Sequence, residues 1–355
     1  MLLLDAHLDL SINALEWNRD LRLPAEQVRA AESGKSDLAG RGRGTVTLPE
    51  MRAAGIGVCV ATQIGGCMKP PGPVASWESP AQAWAMTQGQ LAWYRAMEAE
   101  GLLRQLRSPA DLRQHLDGWN ADPENMPIGY VLSLEGADSL IDISHLERAY
   151  EYGLRAIGPA HYGVGRYAHG HDVDGEFSQR GRELIAEIGQ LGLILDLTHL
   201  CERSFWQALD LHSGALWASH HNCRALVDDP RQLSDAQIEA IIERGSVIGV
   251  AFDAWMLAPG WQRGSSQPAE MGVTLETVAD HIDHICQLAG NAKHVGIGSD
   301  LDGGFGTEQS PSDLNTIADL PRLAGILAER GYSEADVERV MYGNFLEFLL
   351  RSLPG

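Results

Sequence analysis

Leu2-Leu3-Leu4-Asp5-Ala6-His7-Leu8-Asp9 opens the chain with a short apolar run that leads into an imidazole and a carboxylate. The pattern recurs. Apolar runs at Leu2–Ala6, Ile56–Thr62, Ile128–Leu134, Leu154–Ala160, Leu193–Thr198, Ala215–Ser219, Ser246–Phe252 and His294–Ser299 are each five to seven residues long. They lead into His7 with Asp9, Glu135, His161, His199, His220, Asp253 and Asp300; only Ile56–Thr62 runs into a neutral residue, Gln63. Runs this short and continuous suit strands buried on both faces. Eight of them separated by helical stretches predict a (β/α)8 TIM barrel, in which catalytic groups sit where strands end.

The intervening segments carry helix signals. Arg180–Leu191 places Leu184, Ile188 and Leu191 on one face. Ser234–Arg244 begins on a capping serine and stops before Gly245, and Thr274–Leu288 and Pro321–Arg330 behave alike. Alternating strands and helices call for a parallel sheet. The 355 residues suit one barrel domain spanning 1–355, because such barrels run to about 250 residues and accept insertions. Two segments break the rhythm, 16–47 and the proline-rich 65–79, and both are expected at the C-terminal face as elaborated loops.

Composition narrows the function. An apolar fraction of 44% is globular, and a formal net charge of −21 repels nucleic acid and anionic membranes. No stretch approaches the roughly 20 apolar residues that span a bilayer. The N-terminus lacks the basic segment and longer apolar core of a secretory signal. Cys59, Cys67, Cys201, Cys223 and Cys286 are odd in number and lack metal-site spacing. The expected location is the cytoplasm.

His7 and Asp9 share a face if the strand continues through them, and both offer good ligand atoms for a first-row metal. Asp5, on the same face, is placed to orient the His7 ring. Glu135 is a carboxylate at the end of an apolar strand, costly to bury unless paired or metal-bound, and able to bridge two cations about 3.5–4 Å apart. His199 and His220 end neighbouring runs and make a ligand pair for a second metal. His221 should face away from its neighbour, and His281 and His284 sit on a helix remote from any strand end. Asp138 reads as a helix-start acid. Asp300, in Gly298-Ser299-Asp300-Leu301-Asp302, is poised to accept a proton from an attacking water and return it to a leaving amine; Asp302 reads as a loop-orienting acid. His161 could donate to an oxyanion, and Arg231 could pair with a substrate carboxylate.

Together these residues resemble the renal (membrane) dipeptidase family of metal-dependent barrels. The likeness covers the Asp5–Leu10 start, Leu134-Glu135-Gly136, Thr198-His199, Ser219-His220, Val278–Ile285 running into Val295–Gly303, and Asn344-Phe345-Leu346. It implies a dinuclear zinc site with His7 and Asp9 on one ion, His199 and His220 on the other, and Glu135 between. It also implies Asp300 as the proton-handling carboxylate, His161 at the carbonyl and Arg231 at the C-terminal carboxylate of a small dipeptide; L-Xaa-D-Xaa peptides are left open as substrates. Manganese, iron or cobalt would suit the same ligands. A homodimer is implied too. Ala160 stands where the family often has threonine, and Phe252-Asp253-Ala254-Trp255 where it tends to place an aromatic hydroxyl. These departures keep N-acyl amino acids, lactones and phosphoesters open as alternative substrates.

Overall fold

The computed structural model describes residues 1–67 and 74–355; Pro70, Pro71 and Pro73 of the expected proline-rich loop lie outside the described residues. Eight parallel strands form a nearly closed barrel: β1 (Leu3–Leu8), β2 (Ile56–Ile64), β3 (Ile128–Glu135), β4 (Leu154–Ile157), β5 (Ile194–Asp196), β6 (Leu216–Trp217), β7 (Ile248–Val250) and β8 (Val295–Ile297). Neighbours in sequence are neighbours in the sheet, β8 returns to pair with β1, and a bridge between Ala218 and Ile248 joins β6 to β7. The tightest pairing is β2 with β3, continuous from Val58↔Gly129 to Ile64↔Glu135. A short strand, Leu103–Gln105, adds to the start of β3, below the point where β4 begins to pair with it.

Strands of this composition pack on both faces. Leu4, Ala6, Val58, Val60, Val131, Ala156, Ile194 and Trp217 come from six strands yet form one cluster, so they fill the barrel interior. The C-terminal helix Asn344–Ser352 joins that cluster through Phe345, Phe348 and Leu349, with the Trp217 ring 5.8 Å from Phe345 and 5.6 Å from Phe348. Asn344 fixes the helix start by donating to the carbonyls of Ala292 and Val295, both at 2.7 Å. Barrel strands crowd one another near the site: a Cβ on Gly249 or Gly298 would collide with the Ser219 carbonyl.

The expected helices form. Gln179–Leu191 is capped by Ser178 and ends at left-handed Gly192; Asp235–Glu243 starts in a capping box of Ser234 and Gln237; Leu275–Ala289 ends at Gly290; and Arg322–Glu329 follows. A 20-residue helix, Pro80–Ala99, fills part of the β2–β3 connection and had no expectation attached to it. No helix of the described residues is long and apolar enough to cross a membrane.

Segment 16–47 is stapled to the rest by a buried polar network. Arg19 donates to Glu32 (2.9 Å), to the Asn13 side chain (2.8 Å) and to Asp302 (3.3 Å), and stacks 4.4 Å over the Trp17 ring. Asp302 also accepts from the Thr45 amide and hydroxyl and from the Val46 amide. Asn13 in turn donates to the carbonyls of Asp9 (3.0 Å) and Asp302 (2.8 Å). The loop is therefore tied to the ends of β1, which carries His7, and of β8, which leads into Asp300.

Candidate metal centre and active site

Seven charged or imidazole groups named from the sequence meet at the C-terminal ends of the strands. His7 Nε2 lies 3.5 Å from Glu135 Oε2, 3.8 Å from Asp9 and 3.7 Å from Asp300. The other Glu135 oxygen is 2.9 Å from His199 Nε2, 3.5 Å from His220 Nε2 and 3.9 Å from His161 Nε2. Each Glu135 oxygen thus faces its own set of donors. Three overlapping groups have ligand atoms mutually within 4.8 Å: His7, Asp9 and Glu135; Glu135, His199 and His220; and His7, His220 and Asp300.

Local structure aims these groups. Gly136, at φ 75°, turns the chain out of β3 where a Cβ would press on His161. His199 (φ 69°) and Asp300 (φ 57°) occupy the left-handed region, which non-glycine residues enter at a cost and often at functional sites. The strand alternation expected to pair His7 with Asp9 does not operate. β1 has an irregular register between Asp5 and Leu8 and ends there, and Asp9 leads into the helix Leu10–Leu15, its carboxylate accepting from the Thr62 hydroxyl. Asp5 does not reach the His7 ring. It accepts the His7 amide (3.2 Å) and the Ser299 amide and hydroxyl (2.9 and 2.5 Å), tying β1 to β8 instead. His161 comes from the loop after β4, which stops at Ile157.

Electrostatics show a cluster short of positive charge. Burial opposes a charge on His7, yet Glu135, Asp9 and Asp300 outweigh it and push the imidazole up to about 10. Burial and then Glu135 raise Asp9 to about 6, while burial lifts Asp300 well above the usual carboxylate range against the pull of His7. Burial works against the Glu135 anion too, but His7 overrides it and holds the group at about 2. Burial, with Arg231 among the neighbouring cations, keeps His199 and His220 neutral, the form that ligates metal. Three carboxylates, of which Asp9 and Glu135 are buried and Asp300 half-buried, gathered with three buried imidazoles fit divalent ions. His7 Nε2 is itself buried without a hydrogen-bond partner among the described residues.

Supporting contacts that the sequence reading did not name surround the His199–His220 half. His220 Nδ1 meets Ser219 Oγ at 2.9 Å, and Ser219 Oγ lies 3.3 Å from Thr198 Oγ1. Asp196 accepts the amides of Thr198 (3.0 Å) and Ser219 (3.1 Å), locking the end of β5 to that of β6. A buried acid inside the apolar run Leu193–Thr198 was a visible signal for it. Arg231 is buried, donates from Nη2 to the His220 carbonyl (3.0 Å), and leaves Nε and Nη1 without partners among the described residues. Tyr162 and His171, from the loop that carries His161, pack against His199 with tilted rings whose centroids lie 5.2 and 5.6 Å from it. The set-aside histidines stay outside: His281 accepts from the Cys223 amide, His284 pairs with Asp235, and His221 belongs to none of the three ligand groups. Asp253 is buried and caps the helix Ala254–Leu257. Asp138 opens a 3₁₀ turn and accepts the Arg166 amide.

The model of the membrane dipeptidase family (peptidase family M19) matches residues 1–351. An uncharacterized protein in the pqqA 5′ region of Klebsiella pneumoniae is 31% identical over 237 residues, 64% of this chain and 83% of that protein. Dipeptidase tcpJ of Claviceps purpurea is 27% identical over 62% of this chain, a match spanning about half (51%) of the fungal protein. Among solved structures, a dipeptidase AC metallopeptidase superposes with TM-score 0.78 at 26% identity, covering 100% of this chain and 99% of that one. A Rhodobacter sphaeroides metallopeptidase liganded with a phosphinate mimic of L-Ala-D-Ala gives 0.77 at 25% identity, covering 99% of both chains. The chain belongs to the membrane dipeptidase family and is a metal-dependent dipeptidase.

Proposed function

We propose that the cluster holds two divalent ions, zinc foremost, and hydrolyses small dipeptides, including those with a D-residue at the second position. The observation that carries this reading is Glu135, whose two oxygens face separate donor sets: His7 with Asp9, and His199 with His220. Ions bound there would supply hydroxide at neutral pH and polarise the scissile carbonyl. The protein's own groups do the rest. Asp300, raised in pKa at the rim of the cluster, accepts the proton of the attacking water and delivers it to the departing amine. His161, less buried than the other imidazoles, donates to the carbonyl oxygen as charge develops. Arg231 has two unpartnered donor atoms for the substrate's C-terminal carboxylate, which fits the bidentate habit of guanidinium. The ligand of the Rhodobacter sphaeroides relative motivates the D-residue.

Elemental analysis of the purified protein, together with a panel of L-Xaa-L-Xaa and L-Xaa-D-Xaa dipeptides, tests the proposal. Two equivalents of zinc and chelator-sensitive cleavage are expected. Two metals with hydrolysis of N-acyl amino acids, lactones or phosphoesters in place of dipeptides would move the substrate elsewhere. A single equivalent at full activity would remove the bridging role of Glu135.

A further inference from the structure

Acidic side chains outnumber basic ones 48 to 27 in this chain, and several arginines drawn into the fold are matched by acids, Arg19 and Arg41 by Glu32 and Arg330 by Asp283, while the buried Arg155 spends its donors on backbone carbonyls. Two guanidiniums near the metal cluster also lack an acid partner. Arg231 is buried with two free donor atoms, and Arg263 lies at the rim; among the described residues neither is in an ion pair. Arg263 is nonetheless held in place. Its guanidinium lies 4.5 Å over the Trp255 ring and donates to Tyr162 Oη at 3.4 Å. Tyr162 links Arg263 to the cluster, its ring 4.8 Å from that of His161, and both guanidiniums act on its phenol. From Tyr162 a cleft of about 440 Å³ opens outward along His171, Trp255, Trp261, Arg263 and Asp229. Asp229 and Asp253 face Arg263 at longer range, and each already accepts a backbone amide, of Arg231 and of Trp255.

We propose that Arg263 is a specificity residue that receives the side-chain carboxylate of dipeptides whose C-terminal residue is acidic, while Arg231 takes the main-chain carboxylate. This rests on the dipeptidase reading of the cluster. A stacked, planar guanidinium is oriented before the ligand arrives, so little side-chain freedom is lost on pairing. A cationic side chain, drawn by Asp172 and Asp229 on the same cleft wall, is the competing occupant.

The test compares kcat/KM of the metal-loaded enzyme, Arg263→Gln and Arg263→Glu on Ala-Ala, Ala-Asp, Ala-Glu and Ala-Lys, with both stereoisomers at the second position. The wild type should favour the acidic peptides over Ala-Lys. Arg263→Gln should shrink the ratio of acidic to neutral turnover about tenfold, chiefly through KM, and Arg263→Glu should shift preference toward Ala-Lys. An equal fall on all four peptides, or a wild-type preference for Ala-Lys, would overturn the proposal. No turnover of any peptide, Ala-Ala included, would sink the dipeptidase reading and this proposal with it.

Discussion

The Nε2 atoms of His199 and His220 face each other at 3.1 Å, and both lie against the same oxygen of Glu135. Two neutral imidazoles can share that geometry through one proton, or both can turn lone pairs toward a cation. Deep burial and the nearby carboxylate favour the cation. The choice is set from behind: His220 can ligate through Nε2 only when Nδ1 carries the proton, and Nδ1 points at Ser219 Oγ, 2.9 Å away.

Ser219→Ala should therefore weaken metal retention about 10- to 100-fold, the usual effect of removing a group that orients a ligand. The fold should survive, because alanine fits the site and Asp196 still accepts the residue's amide. Competition with a chromophoric chelator measures the affinity; an unchanged value would mean that Ser219 does not select the tautomer.

Asp300→Asn should lose on the order of 10²–10⁴ in kcat while keeping metal content and secondary structure. Asparagine is isosteric and tolerates the left-handed backbone at φ 57°, so the change removes the proton acceptor with little strain. Steady-state turnover beside elemental analysis decides it. Near-normal kcat would take Asp300 out of the chemistry.

Arg231→Ala should act mainly on KM for dipeptides, raising it roughly 10- to 100-fold, the worth of hydrogen bonds to a charged group. Its Nη2 also holds the His220 carbonyl, so metal content should be measured in parallel. A large drop in kcat with unaltered KM would place Arg231 in support of the ligands instead of on the substrate.

Arg19→Met leaves Glu32 and Asp302 buried without their shared cation, and breaking such a network costs about 3–5 kcal/mol. Reduced stability in urea should come with lower kcat, because Asn13 loses its partner and no longer fixes both the Asp9 and Asp302 carbonyls. Replacing Arg19 and Glu32 together with apolar residues should restore part of the stability. Loss of stability with full activity in the remaining folded protein would show that the network holds only the loop.

The residue types at the strand ends, and the apolar runs before them, were legible by themselves. Both are local properties: a five- to seven-residue apolar run must be buried, and an acid or histidine closing it must find a partner. From that came the expectation of a parallel barrel and the naming of His7, Asp9, Glu135, His161, His199, His220 and Asp300, while Arg231 was named from the loop after His220. Tertiary structure decided which atoms meet. Asp5 turned from the His7 ring to Ser299, 294 positions away, because the irregular register of β1 redirects side chains that strict alternation would align. Arg19 found Asp302 across 283 positions, and Thr198, past the end of the neighbouring strand, came to Ser219 Oγ behind His220. No spacing in the chain encodes such contacts, since they depend on barrel closure, on loop paths and on two left-handed residues that local propensity disfavours.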